Sequence, residues 1–256
     1  MVEVSGLKKF VISSVAFIIV FAIIFIFILI PAYVHHGANN IPGYYNALIL
    51  SKYSPYSTVV IEVDYQTGMQ PDPKSLEILQ KKLEQYSDKP VVIHLNHDIE
   101  NDEVPLVING KKLHDVAMGL QKAHRDYRTG WLGGNITIYV MYLDTTWHPD
   151  NSDSNNMPAT DKIYSVGVTY LADSIIIFKG SFINEDLETT ILLHEFGHIF
   201  GLDHSNESDN MMNAQFNVFH NIPGETIKSQ FPTDFSRQDK EKLARLHRTL
   251  HIIPPF

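Results

Sequence analysis

Three histidines and a carboxylate fall within one short stretch, His194-Glu195-Phe196-Gly197-His198-Ile199-Phe200-Gly201-Leu202-Asp203-His204, and no other feature restricts so strongly what this chain can fold into. Residues four apart on an α-helix stand one turn apart on the same face, so helical backbone here aims the imidazoles of His194 and His198 at one point. The flanking sequence predicts that helix. Asn184 can cap its start, Glu185 and Asp186 fall in the positively polarised first turn, and no proline interrupts the run through Phe200. Gly201 then permits the left-handed turn that ends a helix and swings the chain back, delivering His204 to the same point.

Ile191, Leu192, Leu193, Phe196, Ile199 and Phe200 surround the motif, which describes a buried helix rather than a surface one. Burying a carboxylate and imidazoles there costs several kcal/mol unless they are paired or hold a metal. Three neutral imidazoles with an open fourth position form a zinc donor set, and zinc lowers the pKa of a water that it binds. Glu195, beside the first ligand, stands where it can take that water's proton and pass it to a leaving amine. The residues thus predict zinc-dependent hydrolysis of a peptide bond. An accidental H-E-x-x-H on an ordinary helix is the competing reading, and the glycine and third histidine in register argue against it.

On these residues, His194 to Ser205 (HEFGHIFGLDHS) resembles the metzincin zinc peptidases and, within them, the matrixins, which carry serine after the third histidine. The resemblance implies one catalytic zinc on His194, His198 and His204, with Glu195 as general base. It also implies a methionine turn beneath the metal at Asn210-Met211-Met212-Asn213, with Met212 the better aligned, although a methionine there could be mere core filler. A final helix is implied too, and Ser236 with Asp239 starts a segment carrying Leu243, Leu246 and Leu250 at helical spacing. No tyrosine follows Met212 closely, so the fifth ligand of astacin-like and serralysin-like enzymes has no counterpart. The chain has no cysteine, so the cysteine latency switch of animal matrixins cannot operate. Their second zinc site is not reproduced. His148, Asp150, Asp153 and Asp161 give a faint echo of it in the loop from Asp144 to Lys162; they read as a solvated acidic loop, with a metal site as the rival reading and Ca2+ a candidate that nothing further supports.

Phe10 to Ile30 carries no charge, and about 20 such residues span a bilayer as a helix. Lys8 and Lys9 precede this run and no Lys or Arg follows until Lys52, so the positive-inside rule puts residues 1–9 in the cytoplasm, a signal anchor at 10–34, and the remainder outside the cell. A cleaved signal peptide is the rival, but its apolar core is usually shorter and ends in a small-x-small site. Beyond the span stand 18 basic and 28 acidic residues, a balance that opposes nucleic-acid binding. Without cysteine, packing and metal must supply the stability that disulfides give many exported domains.

Residues 35–56 read as a linker with a short helical turn at Asn46 to Leu50, and 57–256 as the catalytic domain. Strands are predicted at Thr58–Val63, Val91–Leu95, Ile136–Leu143, Tyr164–Tyr170 and Ser174–Phe178, and helices from Asp72-Pro73 and across Leu113 to Ala123. That alternation predicts an α+β fold with a mostly parallel sheet covered by helices. By resemblance Tyr164–Tyr170 is the antiparallel edge strand bordering a cleft; an ordinary core hairpin fits the residues equally well. His94, His97, His114 and His124 lack partners at ligand spacing and read as surface or structural histidines rather than ligands. Together these features predict a membrane-anchored zinc endopeptidase acting on extended polypeptides. A catalytically inactive zinc-bearing binding module is the rival from another class, and intact Glu195 speaks against it. A narrow processing peptidase shares the same active-site residues.

Overall fold

The computed structural model describes residues 3–25, 40–110, 112–130, 133–148, 166–181, 185–207, 209–213, 231–232 and 234–248, with side chains in the first helix from residue 13. The chain forms two units, Met1–Asn40 (with Phe256) and Ile41–Pro255.

The first unit holds helix α1 (Glu3–Ile24). Val15, Phe17, Ile18, Ile19, Val20, Phe21 and Ile23 are each exposed by half or more, so the helix is apolar on every side and its described side chains pack on no core. Among the described residues no helix is long and apolar enough to cross a membrane. Residues 10–24 of the expected span lie in α1. Its residues 26–34 lie outside the described residues.

The second unit is α+β. Its elements are α2 (Asn46–Leu50), β1 (Tyr56–Gln66), α3 (Pro73–Ser87), β2 (Val91–Ile99), β3 (Val107–Asn109), α4 (Lys112–His124), β4 (Gly134–Leu143), β5 (Thr146–His148), β6 (Gly167–Leu171), β7 (Ser174–Phe178), α5 (Glu185–Ile199) and α6 (Arg237–Arg248). The main sheet has the order β2-β1-β4-β7-β6; β6 runs antiparallel to β7 and the other neighbours are parallel. Among the described residues β6 stands at the edge of the sheet, and it joins β7 as an antiparallel hairpin through Ala172 and Asp173.

Side-chain alternation along β1 divides the interior in two. Val59, Ile61 and Val63 join the main core with α3, α5 and the turn around Met211 and Met212, while Glu62 and Asp64 point to the other face, fully buried. Each acid there is satisfied: Glu62 accepts the backbone N–H groups of Asp126 and Tyr127, and Asp64 accepts from Tyr139 Oη at 2.6 Å and Asn96 Nδ2 at 3.0 Å. A smaller core containing Ile99, Leu113, Tyr139 and Phe178 lies under α4. Asp72 caps α3 as its place before Pro73 predicts, accepting from Ser75 N at 2.8 Å.

Three expectations differ from the structure. β2 continues beyond Leu95 to Ile99, because its polar residues His94, Asn96 and Asp98 sit on an edge strand with one face partly open. The stretch read as a linker contributes Tyr45, Leu48, Ile49 and Leu50 to the main core, so the compact unit begins at Ile41. His148 lies in β5, paired in parallel with β3, rather than in a loop; Asp150, Asp153 and Asp161 lie outside the described residues.

Candidate metal centre

Helix α5 supplies the first two imidazoles. His194 and His198 stand one turn apart with ring centroids 4.8 Å apart and planes at 86°. The helix then ends in a Schellman turn: Gly201 N donates to His198 O at 2.9 Å, Leu202 N donates to Gly197 O at 2.9 Å, and Gly201 has φ +75°, a conformation glycine takes without strain. The reversal brings His204 back, with its Nε2 3.1 Å from His198 Nε2. One ligand atom from each histidine lies within 4.8 Å of the others, and among the described residues no other group of three potential ligands meets that condition. The expected triad is assembled. His194 is buried, His198 half-buried and His204 exposed, so the site opens on one side.

Two backbone carbonyls orient the rings. His194 Nδ1 donates to Met211 O at 2.7 Å and His198 Nδ1 donates to Leu202 O at 3.0 Å. With Nδ1–H engaged, the Nε2 lone pair is left for a metal. Burial pushes the His194 pKa down to about 4 and lowers that of His198, so neither ring carries a proton that competes for the lone pair at neutral pH. Ligands on a tetrahedral zinc at about 2.0–2.1 Å stand about 3.3–3.4 Å apart. The 3.1 Å separation of His198 Nε2 and His204 Nε2 fits such an ion.

Met211 and Met212 are fully buried beneath the rings. The turn is closed by Ser205 N donating to Met212 O at 2.7 Å and Met212 N donating to Asn210 Oδ1 at 2.8 Å. The absence of a side chain on Gly197 leaves room for Met212 Sδ against α5. Met212 thus lies where the methionine turn was expected. The carbonyl of Met211 is the contribution that side-chain patterns could not reveal, since any residue carries one.

Glu195 is buried at the start of the same helical turn, and burial pushes its carboxyl up to about 7. Its Oε2 accepts from Thr169 Oγ1 at 2.8 Å. His94 stacks on Tyr127 and His97 on Tyr65, while His124 contacts Asp98 and Glu103. Asn184 lies outside the described residues.

Residues 132–230 match the family model of the matrixins. The matched segment contains His194, Glu195, His198, His204 and Met212, so the similarity to matrixins falls on the site itself. No curated protein matches the chain. Among solved structures, archaemetzincin from Archaeoglobus fulgidus, crystallised with malonate, is similar at a TM-score of 0.40 and 12% identity, over 72% of this chain and 99% of that one. Metalloproteinase-II from Bacteroides fragilis is similar at 0.47 and 10% identity, over 78% of this chain and 55% of that one. A zinc-dependent peptidase from Methanocorpusculum labreanum is similar at 0.42 and 13% identity, over 72% and 99%.

The N-terminal segment of the second unit bears directly on the third ligand. Gly43 (φ +75°) packs so closely on the Gly201 turn that an added Cβ would stand 2.6 Å from Gly201 Cα and 3.0 Å from His198 O, both backbone atoms that cannot swing aside. Gly43→Ala is expected to weaken zinc binding by about tenfold or more by displacing that turn, as read by competition with a chromophoric chelator. Gly68→Ala supplies the control, because Gly68 shares a positive φ but has nothing within 4 Å of its added Cβ. Equal zinc affinity in the two variants would contradict the coupling.

Proposed function

We propose that this chain is a zinc metalloendopeptidase, anchored to a membrane by its N-terminal helix, that hydrolyses extended polypeptides outside the cytoplasm. The single observation that carries the reading is the convergence of three imidazoles around one point, two with Nδ1 committed to carbonyls, beside a buried carboxylate. When bound, zinc supplies a Lewis acid that polarises the scissile carbonyl and lowers the pKa of a water at its open position. The protein's own part in the reaction is carried by His194, His198 and His204 as ligands and by Glu195 as the proton carrier. The Glu195 carboxylate, engaged by Thr169 through Oε2, would accept the water's proton and return it to the leaving amine.

Substrate class follows from the sheet. Among the described residues β6 is the last strand of the sheet, and a strand in that place can take up an extended peptide by main-chain pairing. The anchor is supported by the uncharged run from Phe10 to Ile30, by Lys8 and Lys9 before it, and by the exposure of apolar side chains all round α1.

In the purified full chain, a quenched-peptide library should be cleaved and a chelator should abolish cleavage. Glu195→Gln should lower kcat by about a hundredfold or more while retaining one zinc per chain. A zinc-loaded wild type that cleaves no peptide would favour the inactive binding module. Topology is read separately, because a cysteine-free chain accepts single reporter cysteines. Asn40→Cys is expected to react with a membrane-impermeant maleimide added to intact cells and Ser5→Cys only after permeabilisation; the reverse pattern would overturn the assigned orientation.

A further inference from the structure

We propose that Thr169, with the bare strand position Gly167 beside it, is a positioning residue that holds the Glu195 carboxylate in place for proton transfer. The inference rests on the peptidase reading above and adds to it the group that aims the proton carrier.

Residues 167 and 169 lie two apart on edge strand β6 and so share one face. That face meets α5 at Glu195. The intervening Val168 and Tyr170 pack against the smaller core on the opposite side. Thr169 Oγ1 lies 2.8 Å from Glu195 Oε2 and 2.9 Å from the Glu195 backbone carbonyl, so its single proton is shared between the side chain and the main chain of the same residue. This pins the carboxylate relative to its own backbone as well as to the strand.

Gly167 completes the arrangement by what it lacks. A Cβ there would stand 2.9 Å from Glu195 Oε1, 3.0 Å from Glu195 Cγ and 2.9 Å from Ile191 Cγ2. Contacts under 3 Å force something to move, and the carboxylate end is the freest of the three. The strand thus grips Oε2 with one residue and clears space for Oε1 with the other. The Thr169 backbone also hydrogen-bonds the carboxylate; a glutamate side chain has three rotatable bonds, and in a buried setting an oxygen that loses its hydroxyl donor is driven to find another. Losing the hydroxyl should therefore shift the carboxylate without disturbing His194 and His198, which are held by Met211 and Leu202.

The test compares the zinc-loaded full chain with Thr169→Val, which keeps the shape and removes the hydroxyl, and Thr169→Ser, which keeps the hydroxyl. Thr169→Val should lower kcat by about 30-fold or more with KM within about threefold, at unchanged zinc affinity, and Thr169→Ser should recover to within about threefold of wild type. Crystal structures should show the Glu195 carboxylate displaced in Thr169→Val and in place in Thr169→Ser. Should Thr169→Val fail to fold, Gly167→Ala and Thr169→Ala carry the same expectation. A kcat within twofold of wild type for Thr169→Val, or equal losses in the valine and serine variants, would overturn the proposal. If the zinc-loaded wild type cleaves no peptide, the peptidase reading fails instead, and Glu195 placement in the structures decides the role of Thr169: displacement in the valine variant alone sustains it, and an unmoved carboxylate overturns it.

Discussion

Two Nδ1–H groups held by backbone carbonyls are the constraint on which the rest of this site depends. An imidazole is an indifferent ligand until its tautomer is chosen, and here Met211 O and Leu202 O make the choice for His194 and His198. Both carbonyls come from tight turns that follow α5. The Schellman reversal at Gly201 presents Leu202 O, and the closed turn at Asn210 to Met212 presents Met211 O. Remove either turn and a ring can rotate or carry its proton on the wrong nitrogen.

Those turns are in turn braced by elements distant in sequence. Gly43 packs on Gly201, and Lys242 from α6 donates to Gly201 O at 2.6 Å. The main core joins α2, the Met211–Met212 turn and Leu243 into one body under α5. On the other side of α5, edge strand β6 grips Glu195 through Thr169. The His194 and His198 rings and the Glu195 carboxylate are therefore held by separate parts of the fold, one below the helix and one beside it. Under the proposed function, that separation would let the metal be bound and the carboxylate be aimed independently.

Much of this was legible in the sequence because it is written in side chains at fixed spacing. The histidines, Glu195, Gly201 and Met212 occupy the places their pattern implies, and β-branched runs such as Thr58 to Val63 mark strands. What escaped is carried by tertiary contact. The polar second half of β2 reads as loop until its edge position is known, and residues 41–50 show no periodicity yet contribute Leu48, Ile49 and Leu50 to the core. β3 and β5 are three residues each, too short for any alternation to register. Thr169 is one threonine in a strand, and its value comes from standing opposite Glu195, 26 residues on. Backbone carbonyls leave no trace in residue identity at all.

The central claim is a zinc ion held by three imidazole nitrogens with a fourth position open. X-ray absorption at the zinc edge, on full chain purified without added metal or chelator, reads that coordination directly. The account predicts about three nitrogen scatterers and one oxygen at about 2.0–2.1 Å, with the outer-shell pattern of imidazole rings. A preparation that holds no zinc, or a spectrum with fewer than two imidazoles on the ion, would contradict it.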